Sequence, residues 1–484
     1  MEHNLLYYGD NLNVMRLHVK DESVDLVYLD PPFNSGRNYN TMFKGDAQAT
    51  AFTDTWSWDE KAVRAFEDVQ KAGGKLADAM LAMKAFVGGG PTLAYLSMMA
   101  PRLQEIRRVL KPTGSVYLHC DPSASHYLKI LMDAVFGVAN FRNEVIWANN
   151  TASGFKSKTK NWVRGHDTIL YYIKNTNPIF NRESFPYDAR TIRRYDKLDQ
   201  DGRKYKVYRE GTRERRAYLD EAKGRSVSNV WTDITDFQTV NNTGERLGYP
   251  TQKPLALLDR IILASSNPGD VVLDAFCGCG TAIESAQNNG RRWIGIDITH
   301  LAVKVIKDRL DKKRAADLDA GKDPGPVYKV IGEPADLEGA KQLALEDTHQ
   351  FEHWALGLVG ARASAKGKGA DRGIDGVLYF EEEGVTKAVP ISVKSGGVTS
   401  GAVRDLRGVM ERDKCPISLL ITLHEPSKDM KKEALEAGFY EAAGMAELLG
   451  CENPPRIQIL SVKDLFEGKR PRLPGGSRNV TLGK

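Results

Sequence analysis

Two short turns, each preceded by a run of apolar residues, place the strongest constraint on what this chain can fold into. The first turn is Asp30-Pro31-Pro32-Phe33, at the end of the apolar run of residues 24–30. The second covers residues 274–281, with the sequence DAFCGCGT, and follows the apolar run of residues 271–276. Such runs, bounded by turn residues, are typical of strands that are buried on both faces of a parallel sheet. We therefore interpret each turn as the functional end of a buried parallel strand.

Length and composition indicate a globular protein of two or three domains. The chain has 484 residues, and single hydrophobic cores stop growing near ~250–300 residues. No apolar run reaches the ~18 residues of a membrane helix, and the first residues lack the basic and apolar regions of a signal peptide. We therefore expect no membrane segment and a cytoplasmic location. Among five scattered cysteines only Cys277 and Cys279 lie close together, which favours reduced thiols over a zinc site.

An alternation of strand-like and helix-like segments predicts an α/β fold for residues 1–174 and 246–312. The expected strands are residues 4–8, 24–30, 115–120, 144–148, 168–174, 271–276 and 292–298, and the expected helices are residues 92–110, 123–136, 252–265, 282–289 and 301–310. This pattern favours a parallel sheet with helices on both faces.

The rest of the chain divides into an insert, a linker, a second unit and a tail. Residues 175–245 are polar, basic and rich in tyrosine, which indicates an inserted module. Residues 313–334 contain a charged Pro/Gly stretch that is typical of a linker. Residues 335–468 are expected to form a second unit, and residues 469–484 a mobile tail.

The distribution of charge says more about partners than the net charge of +5. Basic residues are concentrated between residues 156 and 225. Representative members are Arg193, Arg194, Arg203, Arg215 and Arg216, with Tyr187, Tyr195, Tyr205, Tyr208 and Tyr218 between them. This mixture suits phosphate neutralisation with some stacking on bases. A solvated charged face remains the alternative.

The glycine turn indicates a site for an adenosine-containing ligand. Gly278 and Gly280 stand between a strand and a helix, where glycine lets the backbone approach a ligand and where helix N–H groups point at it. Thr281 is expected to cap that helix. Asp297 ends the next strand, where a carboxylate can accept hydrogen bonds from ribose hydroxyls. The spacing favours S-adenosylmethionine over a nicotinamide cofactor but leaves both open.

The proline turn has the chemistry needed to activate an exocyclic amine. The amine of a base is a poor nucleophile because its lone pair is delocalised into the ring. The Asp30 carboxylate and the Pro31 carbonyl can accept its two N–H bonds, and Pro31 and Pro32 make the loop rigid. Phe33 offers a face on which a flipped base can stack. An ordinary strand-ending turn is the alternative.

In this order, the two turns resemble a β-class, circularly permuted DNA amino-methyltransferase, similar to the modification subunits of type III systems. The resemblance covers residues 4–310. Further matching segments are Tyr8-Gly9-Asp10-Asn11-Leu12 and residues 34–39, 141–147, 166–174 and 245–254. Two departures are small: Ala275 stands where the family usually has proline, and Ala282 where a second threonine is common.

The resemblance implies a permuted Rossmann-like fold that transfers a methyl group from S-adenosylmethionine to adenine N6 in double-stranded DNA, with cytosine N4 as the alternative target. It places the target recognition domain in the insert and implies a homodimer. The family's pattern assigns Asp10 to the donor's adenine and residues 245–254, including Lys253, to a segment that packs on the donor site. Asp274 and Phe276 belong to the same donor motif as the glycine turn.

The second unit contains a hairpin that brings two residues of a metal site together. Asp375 precedes a short strand, and Lys394 ends the next one. A carboxylate beside a lysine can hold Mg²⁺ and orient a hydrolytic water, and Glu352 is a further candidate ligand. The arrangement resembles the Mrr-like restriction endonucleases of the PD-(D/E)XK class, which have an α/β fold. Ser392 stands where that class has Glu, Asp or Gln, and a hydroxyl is a poor ligand for a hard cation.

Two enzymatic functions and one non-enzymatic function therefore remain open for the whole chain. The first is a fused enzyme that methylates DNA and cuts unmodified DNA with Mg²⁺. The second is a solitary DNA methyltransferase whose second unit is inactive and only binds DNA or a partner. A DNA-binding regulator with an inactive donor site is the non-enzymatic alternative. In either enzyme the methyl step is expected to be a direct displacement, so Cys277 and Cys279 are not expected to be nucleophiles.

Overall fold

The computed structural model describes residues 3–32, 37–42, 48–54, 56–148, 162–175, 177–210, 213–237, 245–247, 249, 251–363, 373–382, 385–441 and 453–474. The strands are β1 (Asn4–Tyr8), β2 (Val24–Leu29), β3 (Arg37–Met42), β4 (Gln48–Asp54), β5 (Leu110–Cys120), β6 (Phe141–Ala148), β7 (His166–Ile173), β8 (Ser184–Phe185), β9 (Lys197–Leu198), β10 (Lys204–Glu210), β11 (Arg213–Tyr218), β12 (Arg225–Ser226), β13 (Val230–Trp231), β14 (Val271–Asp274), β15 (Arg292–Asp297), β16 (Tyr328–Ile331), β17 (Arg362–Ala363), β18 (Gly376–Glu382), β19 (Val385–Lys394), β20 (Ser418–Thr422) and β21 (Ile457–Ser461). The α-helices are α1 (Asn11–His18), α2 (Glu60–Ala72), α3 (Gly74–Val87), α4 (Pro91–Val109), α5 (Pro122–Phe136), α6 (Ala189–Ile192), α7 (Leu255–Ser265), α8 (Thr281–Asn288), α9 (His300–Asp319), α10 (Leu337–Glu346), α11 (Thr348–Leu358), α12 (Ser400–Arg412), α13 (Lys428–Leu435) and α14 (Val462–Phe466).

The part of the chain before residue 335 is called the first unit, and a nine-stranded sheet in the order β13-β6-β7-β5-β2-β14-β15-β1-β16 forms its centre. From β5 to β16 its neighbours pair in parallel, but β7 pairs antiparallel with both β5 and β6. The expected parallel sheet is therefore mixed at one end. An apolar run marks a buried strand but not its direction, so the sequence pattern did not reveal this arrangement.

Both faces of this sheet are buried, as the apolar runs predicted. On β2, Val27 and Leu29 pack into one apolar cluster with residues of α1 to α5. Leu26 and Tyr28 point to the opposite face and pack with residues of α7, α8 and α9. All six residues of β2 are buried. The alternation of side chains along a strand divides one short run between two cores, which confirms the α/β architecture with helices on both faces.

The segment interpreted as a linker, residues 313–334, is part of the first unit. Helix α9 continues to Asp319, and β16 pairs in parallel with β1 at the edge of the main sheet. Tyr328 and Val330 pack against the second apolar cluster. The linker interpretation is therefore wrong for this segment. The Pro/Gly stretch forms only the turn between α9 and β16, and a four-residue edge strand gives a weak apolar signal.

In its described part, the insert folds into two small sheets and adds β13 to the edge of the main sheet. β10 and β11 pair antiparallel, with Tyr205 opposite Tyr218, and β9 extends this hairpin. The Lys206 ammonium lies 4.4 Å from the centre of the Tyr195 ring, and the Arg216 guanidinium lies 4.9 Å from that of Tyr205. Some of the interleaved tyrosines therefore stack on basic side chains of the insert itself.

The second unit has its own five-stranded sheet in the order β17-β18-β19-β20-β21. β18 and β19 form an antiparallel hairpin, and β19, β20 and β21 pair in parallel. Helices on its two sides fill two separate apolar clusters. Part of the expected mobile tail is anchored here, because the backbone of Arg472 exchanges hydrogen bonds of 2.7 and 2.8 Å with the Gln458 side chain. Among the described residues of the whole chain, none of the helices has the length and apolar character to span a bilayer.

Candidate active site

Four parallel strands at the centre of the main sheet end at one edge, and each end supplies an acidic residue. Asp10, Asp30, Asp274 and Asp297 follow or end β1, β2, β14 and β15, which are consecutive in the sheet in the order β2-β14-β15-β1. All four line one cavity of about 800 Å³. The proline turn and the glycine turn, far apart in sequence, therefore meet at the carboxyl ends of parallel strands, where α/β sheets bind ligands.

Lys253 holds the carboxylate of Asp30. Its Nζ donates a hydrogen bond of 2.6 Å to Asp30 Oδ2, and the two side chains are only 8% and 18% exposed. The same Nζ lies 3.3 Å from the carbonyl oxygen of Thr251, a residue with the left-handed φ of 59°. The sequence placed Lys253 in a segment that packs on the donor site. The structure places its ammonium on the carboxylate of the proline turn.

The other carboxylate oxygen of Asp30 has a different environment. Oδ1 is buried and has no hydrogen-bond partner in the described part of the chain. A buried acceptor without a donor costs about 1–3 kcal/mol, a cost that a ligand N–H can remove. Pro31, Pro32 and Trp56 line the same cavity, whereas Phe33 lies outside the described residues.

The glycine turn has the backbone conformation that its sequence predicted. Gly278 and Gly280 have φ of 48° and 78°, and a Cβ on Gly280 would lie 2.8 Å from Cγ1 of Ile306. Glycine is therefore required at this position. The expectation that Thr281 caps the helix is wrong. Thr281 is the first residue of α8, Gly280 is the N-cap, and no side chain caps this helix.

Two carboxyl groups, the buried one of Asp274 and the partly buried one of Asp297, connect the glycine turn to the strand ends. Asp297 Oδ2 accepts a hydrogen bond of 2.9 Å from the N–H of Gly278, and its Oδ1 accepts from the N–H and hydroxyl of Thr299. Asp274 Oδ1 accepts from the N–H of Phe276 at 3.0 Å. Burial, with a further contribution from nearby carboxylates, raises the pKa of Asp274 to about 8. Burial also raises the pKa of Asp297.

Asp10 joins a network that the sequence did not reveal. Its Oδ1 caps α1 by accepting from the N–H groups of Leu12 and Asn13, and its Oδ2 accepts from Arg102 on α4. Asn11 accepts from the same guanidinium at 2.5 Å and donates to the carbonyl of Ala275 at 2.7 Å. Arg102 therefore fixes the end of β1 against the donor turn. An isolated arginine in the middle of a helix gave no sequence signal for this role.

A buried chain of polar side chains lies behind the cavity and was also missed. The hydroxyl of Tyr28, which lines the cavity, is 2.9 Å from His119 Nδ1, and His119 Nε2 is 3.1 Å from Asp167 Oδ2. Arg164 bonds to Asp167 and, at 3.0 Å, to Asp121. Burial and, to a smaller extent, the charge of Asp30 raise the pKa of Tyr28 well above its usual value. The network fixes the Tyr28 ring beside the proline turn.

The cysteines of the glycine turn are thiols. Cys277 and Cys279 are 5% exposed, and burial raises the pKa of both. A buried thiol of raised pKa is a poor nucleophile because the reactive form is the thiolate. No group of three His, Cys, Asp or Glu side chains suited to a metal ion occurs in the described residues.

A family model described as DNA methylase matches residues 24–308, which is more than half of the chain and includes both turns, Lys253 and Asp297. The chain belongs to the DNA methylase family.

Relatives of this DNA methylase come from several modification systems. Type II methyltransferase M.EcaI of Enterobacter cloacae is 25% identical over 72% of this chain and 76% of its own length. DNA adenine methyltransferase YhdJ of Escherichia coli strain K12 is 28% identical over 64% of this chain and 83% of its own length. The Mod subunit of the type III restriction-modification enzyme StyLTI of Salmonella typhimurium strain LT2 is 25% identical over 58% of this chain and 49% of its own length.

In the second unit of this DNA methylase, the structure brings Asp375 and Lys394 together but gives the carboxylate other partners. Lys394 Nζ is 3.9 Å from Asp375 Oδ2. The same oxygen accepts hydrogen bonds from the Ser392 hydroxyl at 3.2 Å and from the N–H of Val393 at 2.7 Å. Glu352 lines the same cavity as Asp375, and its Oε2 is 3.1 Å from His349 Nδ1. Serine in the acidic position therefore acts as a hydrogen-bond donor to Asp375.

A second family model, described as NACHT-associated inactive Restriction Endonuclease 1, matches residues 348–449. The second unit is thus similar to a restriction endonuclease family that is described as inactive. The Mrr-like assignment and Mg²⁺ binding stay predictions.

Proposed function

We propose that this DNA methylase transfers a methyl group from S-adenosylmethionine to adenine N6 in double-stranded DNA. The observation that supports this most is the state of Asp30. One of its carboxylate oxygens is held by Lys253, and the other is a buried acceptor without a partner among the described residues. An amine with N–H bonds to donate is the ligand that this oxygen lacks.

The residues around the glycine turn fit the donor. The cavity of about 800 Å³ has room for a ligand beside the turn, and Gly278 lines it without a side chain. Asp297 is placed to accept hydrogen bonds from ribose hydroxyls, and Asp10, Lys253, Asp274, Phe276 and Thr281 line the same cavity. When bound, S-adenosylmethionine supplies an electrophilic methyl group on a sulfonium centre.

Asp30 would activate the target amine. A carboxylate that accepts an amine N–H keeps the nitrogen lone pair out of the ring and stabilises the positive charge that grows on nitrogen during attack. Lys253 fixes Oδ2, so Oδ1 is the oxygen that meets the amine. In this scheme the Pro31 carbonyl accepts the second N–H, and an aromatic face, from Phe33 or Trp56, stacks on the extruded base. The buried thiols Cys277 and Cys279 take no part.

The choice of adenine depends on the aspartate that begins the proline turn, because a serine there more often goes with cytosine N4. YhdJ, a relative named as a DNA adenine methyltransferase, is 28% identical to this chain. Cytosine N4 is the alternative target, since its exocyclic amine has the same N–H donors and the same need for an acceptor.

The insert is proposed to be the target recognition domain. Arg215 and Arg216 are exposed on β11, where they can meet DNA phosphates. Several other basic residues of the cluster, residues 156–160 among them, lie outside the described residues. Phosphate contacts would position the DNA, and contacts to base edges would select the site.

Product analysis tests this proposal. Purified protein is incubated with labelled S-adenosylmethionine and genomic DNA that lacks modification, and the DNA is digested to nucleosides. Label in N6-methyl-2′-deoxyadenosine is the expected result. Label in N4-methyl-2′-deoxycytidine would favour the alternative target. No label in the DNA, at saturating S-adenosylmethionine and with protein in excess over DNA, would contradict the proposal. Asp21→Asn, a change at a side chain that is 73% exposed, is the matched control for Asp30→Asn.

For the second unit we propose that it binds DNA or a partner and does not cut DNA. The Asp375 oxygen that faces Lys394 already accepts two protein hydrogen bonds, and the serine in the acidic position supplies no charge for Mg²⁺. The resemblance to an inactive restriction endonuclease family supports this. The test is Mg²⁺-dependent cleavage of unmethylated DNA by the wild type, Asp375→Ala and Lys394→Ala. Cutting by the wild type that both variants lose would instead establish the fused modification–restriction enzyme.

A further inference from the structure

Helix α11 of the second unit forms part of the same cavity as the donor turn. His349, Gln350, Glu352, His353 and Leu356 of this helix line the cavity together with residues 297–301. They recur at spacings of three and four residues, so they lie on one face of α11. The first unit supplies the proline and glycine turns, and the second unit supplies this face.

Close packing fixes α11 in this place. Tyr8, the last residue of β1, donates a hydrogen bond of 3.3 Å from its hydroxyl to Gln350 Oε1. The Tyr8 ring also meets the edge of the His300 ring, with the ring centres 6.2 Å apart. A Cβ on Gly357 would lie only 2.1 Å from His300 Nε2. Glycine at this position therefore permits the two helices α9 and α11 to touch.

The side chains of His300 and Tyr8, which contact α11, are largely buried, and their surroundings shift the pKa of both. The His300 side chain is 12% exposed, and its Nδ1 is 3.6 Å from Glu333 Oε1. Burial first, and then the positive charges of Lys304 and Lys307, lower the pKa of His300 to about 4. A neutral imidazole therefore packs against α11 at neutral pH. Tyr8 is also buried, and burial with the charges of Asp347 and Glu333 raises its pKa.

We infer that α11 is a wall of the donor site, so that the second unit contributes directly to the binding of S-adenosylmethionine. This inference rests on the proposed function. If Asp297 accepts from the ribose hydroxyls, the adenine attached to that ribose lies beside residues 298–301, which share the cavity with α11. Gln350 is a donor-positioning residue in this arrangement. A unit that resembles an inactive nuclease would then serve the methyltransferase as part of its cofactor site.

The test uses two full-length variants and two matched controls. Gln350→Ala removes a side chain from the cavity, and Gln342→Ala makes the same change on α10, where the side chain is exposed and bonds to Glu346. Gly357→Ala forces α11 and the His300 ring apart, because the added Cβ would lie 2.1 Å from His300 Nε2. Gly408→Ala makes the same change inside α12, where a Cβ would have no neighbour within 4 Å. Calorimetry without DNA measures the Kd for S-adenosylmethionine, so that DNA binding cannot contribute.

The expected results separate the four proteins. Loss of the Gln350 contacts should raise the Kd about threefold to tenfold, the range of one net hydrogen bond. Gly357→Ala should raise it at least as much, while both controls stay within about twofold of the wild type. Wild-type affinity in both Gln350→Ala and Gly357→Ala would overturn the inference and leave the proposed function intact. Absence of binding by the wild type would overturn the proposed function itself. Far-ultraviolet circular dichroism of each variant checks that the protein is folded. If Gly357→Ala is not folded, the Kd of Gln350→Ala alone decides whether the inference holds.

Discussion

Replacing Lys253 with methionine tests the role of the ion pair at the proline turn. The Nζ of Lys253 is 2.6 Å from Asp30 Oδ2, so the change removes the group that orients the carboxylate. Methionine keeps the length and apolar stem of the side chain. If the ammonium serves Asp30, the chemical step should slow. If it serves only the donor, the affinity for S-adenosylmethionine should fall instead.

The size of the effect follows from burial. Removing one partner of a buried ion pair costs about 3–5 kcal/mol. The Asp30 side chain is 18% exposed, and this partial contact with solvent reduces the expected cost to about 2–3 kcal/mol. Without Lys253, the Asp30 carboxylate turns toward water and so avoids this cost. It must turn back before it can accept the amine N–H, and the same free energy is then added to the barrier of methyl transfer. The rate of methyl transfer should therefore fall about 30- to 150-fold, since ~1.4 kcal/mol corresponds to a factor of ten.

Single-turnover methyl transfer and donor calorimetry measure the two quantities separately. Lys129→Met is the control, because Lys129 forms an ion pair with Asp133 on α5, away from the cavity. The double variant Asp30→Asn, Lys253→Met should be no slower than Asp30→Asn alone, because the two residues act as one unit. A tenfold loss of donor affinity with an unchanged rate, or effects that multiply in the double variant, would refute the reasoning.

Two further predictions follow from the site and the insert. Burial raises the pKa of Asp274 to about 8, so the folded protein retains a proton that the unfolded chain releases near pH 4. The free energy of unfolding should therefore fall, by on the order of a few kcal/mol, as pH rises from about 4 to 8. In urea titrations, Asp274→Asn should lack this part of the pH dependence. Identical pH profiles of the wild type and the variant would contradict the raised pKa of Asp274. Replacing Arg215 and Arg216 with glutamine should make the negative slope of log K against log salt for DNA binding less steep, by about 0.9 per lost phosphate contact. An unchanged slope in salt-dependent titrations would show that these residues do not contact DNA phosphates.

Much of the first unit was predictable because its central strands are buried on both faces. Apolar runs located β1, β2, β14 and β15 within one or two residues, and the glycine turn and the acidic strand ends followed from them. Helices α2 and α3 were not assigned, although Asp59 as an N-cap and Gly73 at the end of α2 were available signals. Strand β7 was predicted, but its antiparallel direction was missed, because an apolar run does not encode strand direction.

The contacts that complete the site were not predictable from local sequence. Lys253 and Asp30 are 223 positions apart, and Arg102 meets Asp10 from a different helix. Such pairs depend on the order of strands in the sheet, which periodicity does not reveal. The same reason applies to α11. Its apolar pattern predicts a helix, but only tertiary structure places one face of it in a cavity of the other unit.

The central claim is that the free carboxylate oxygen of Asp30 activates the amine that receives the methyl group. Single-turnover methylation of duplex DNA by Asp30→Asn, with donor affinity measured on the same preparation, tests it most directly. Asparagine keeps the shape of the side chain but removes its charge. The account predicts a loss of at least about 100-fold in rate, the scale of removing one stabilising group at a reacting centre, with donor affinity within about twofold of the wild type. A rate close to that of the wild type at equal donor occupancy would contradict it.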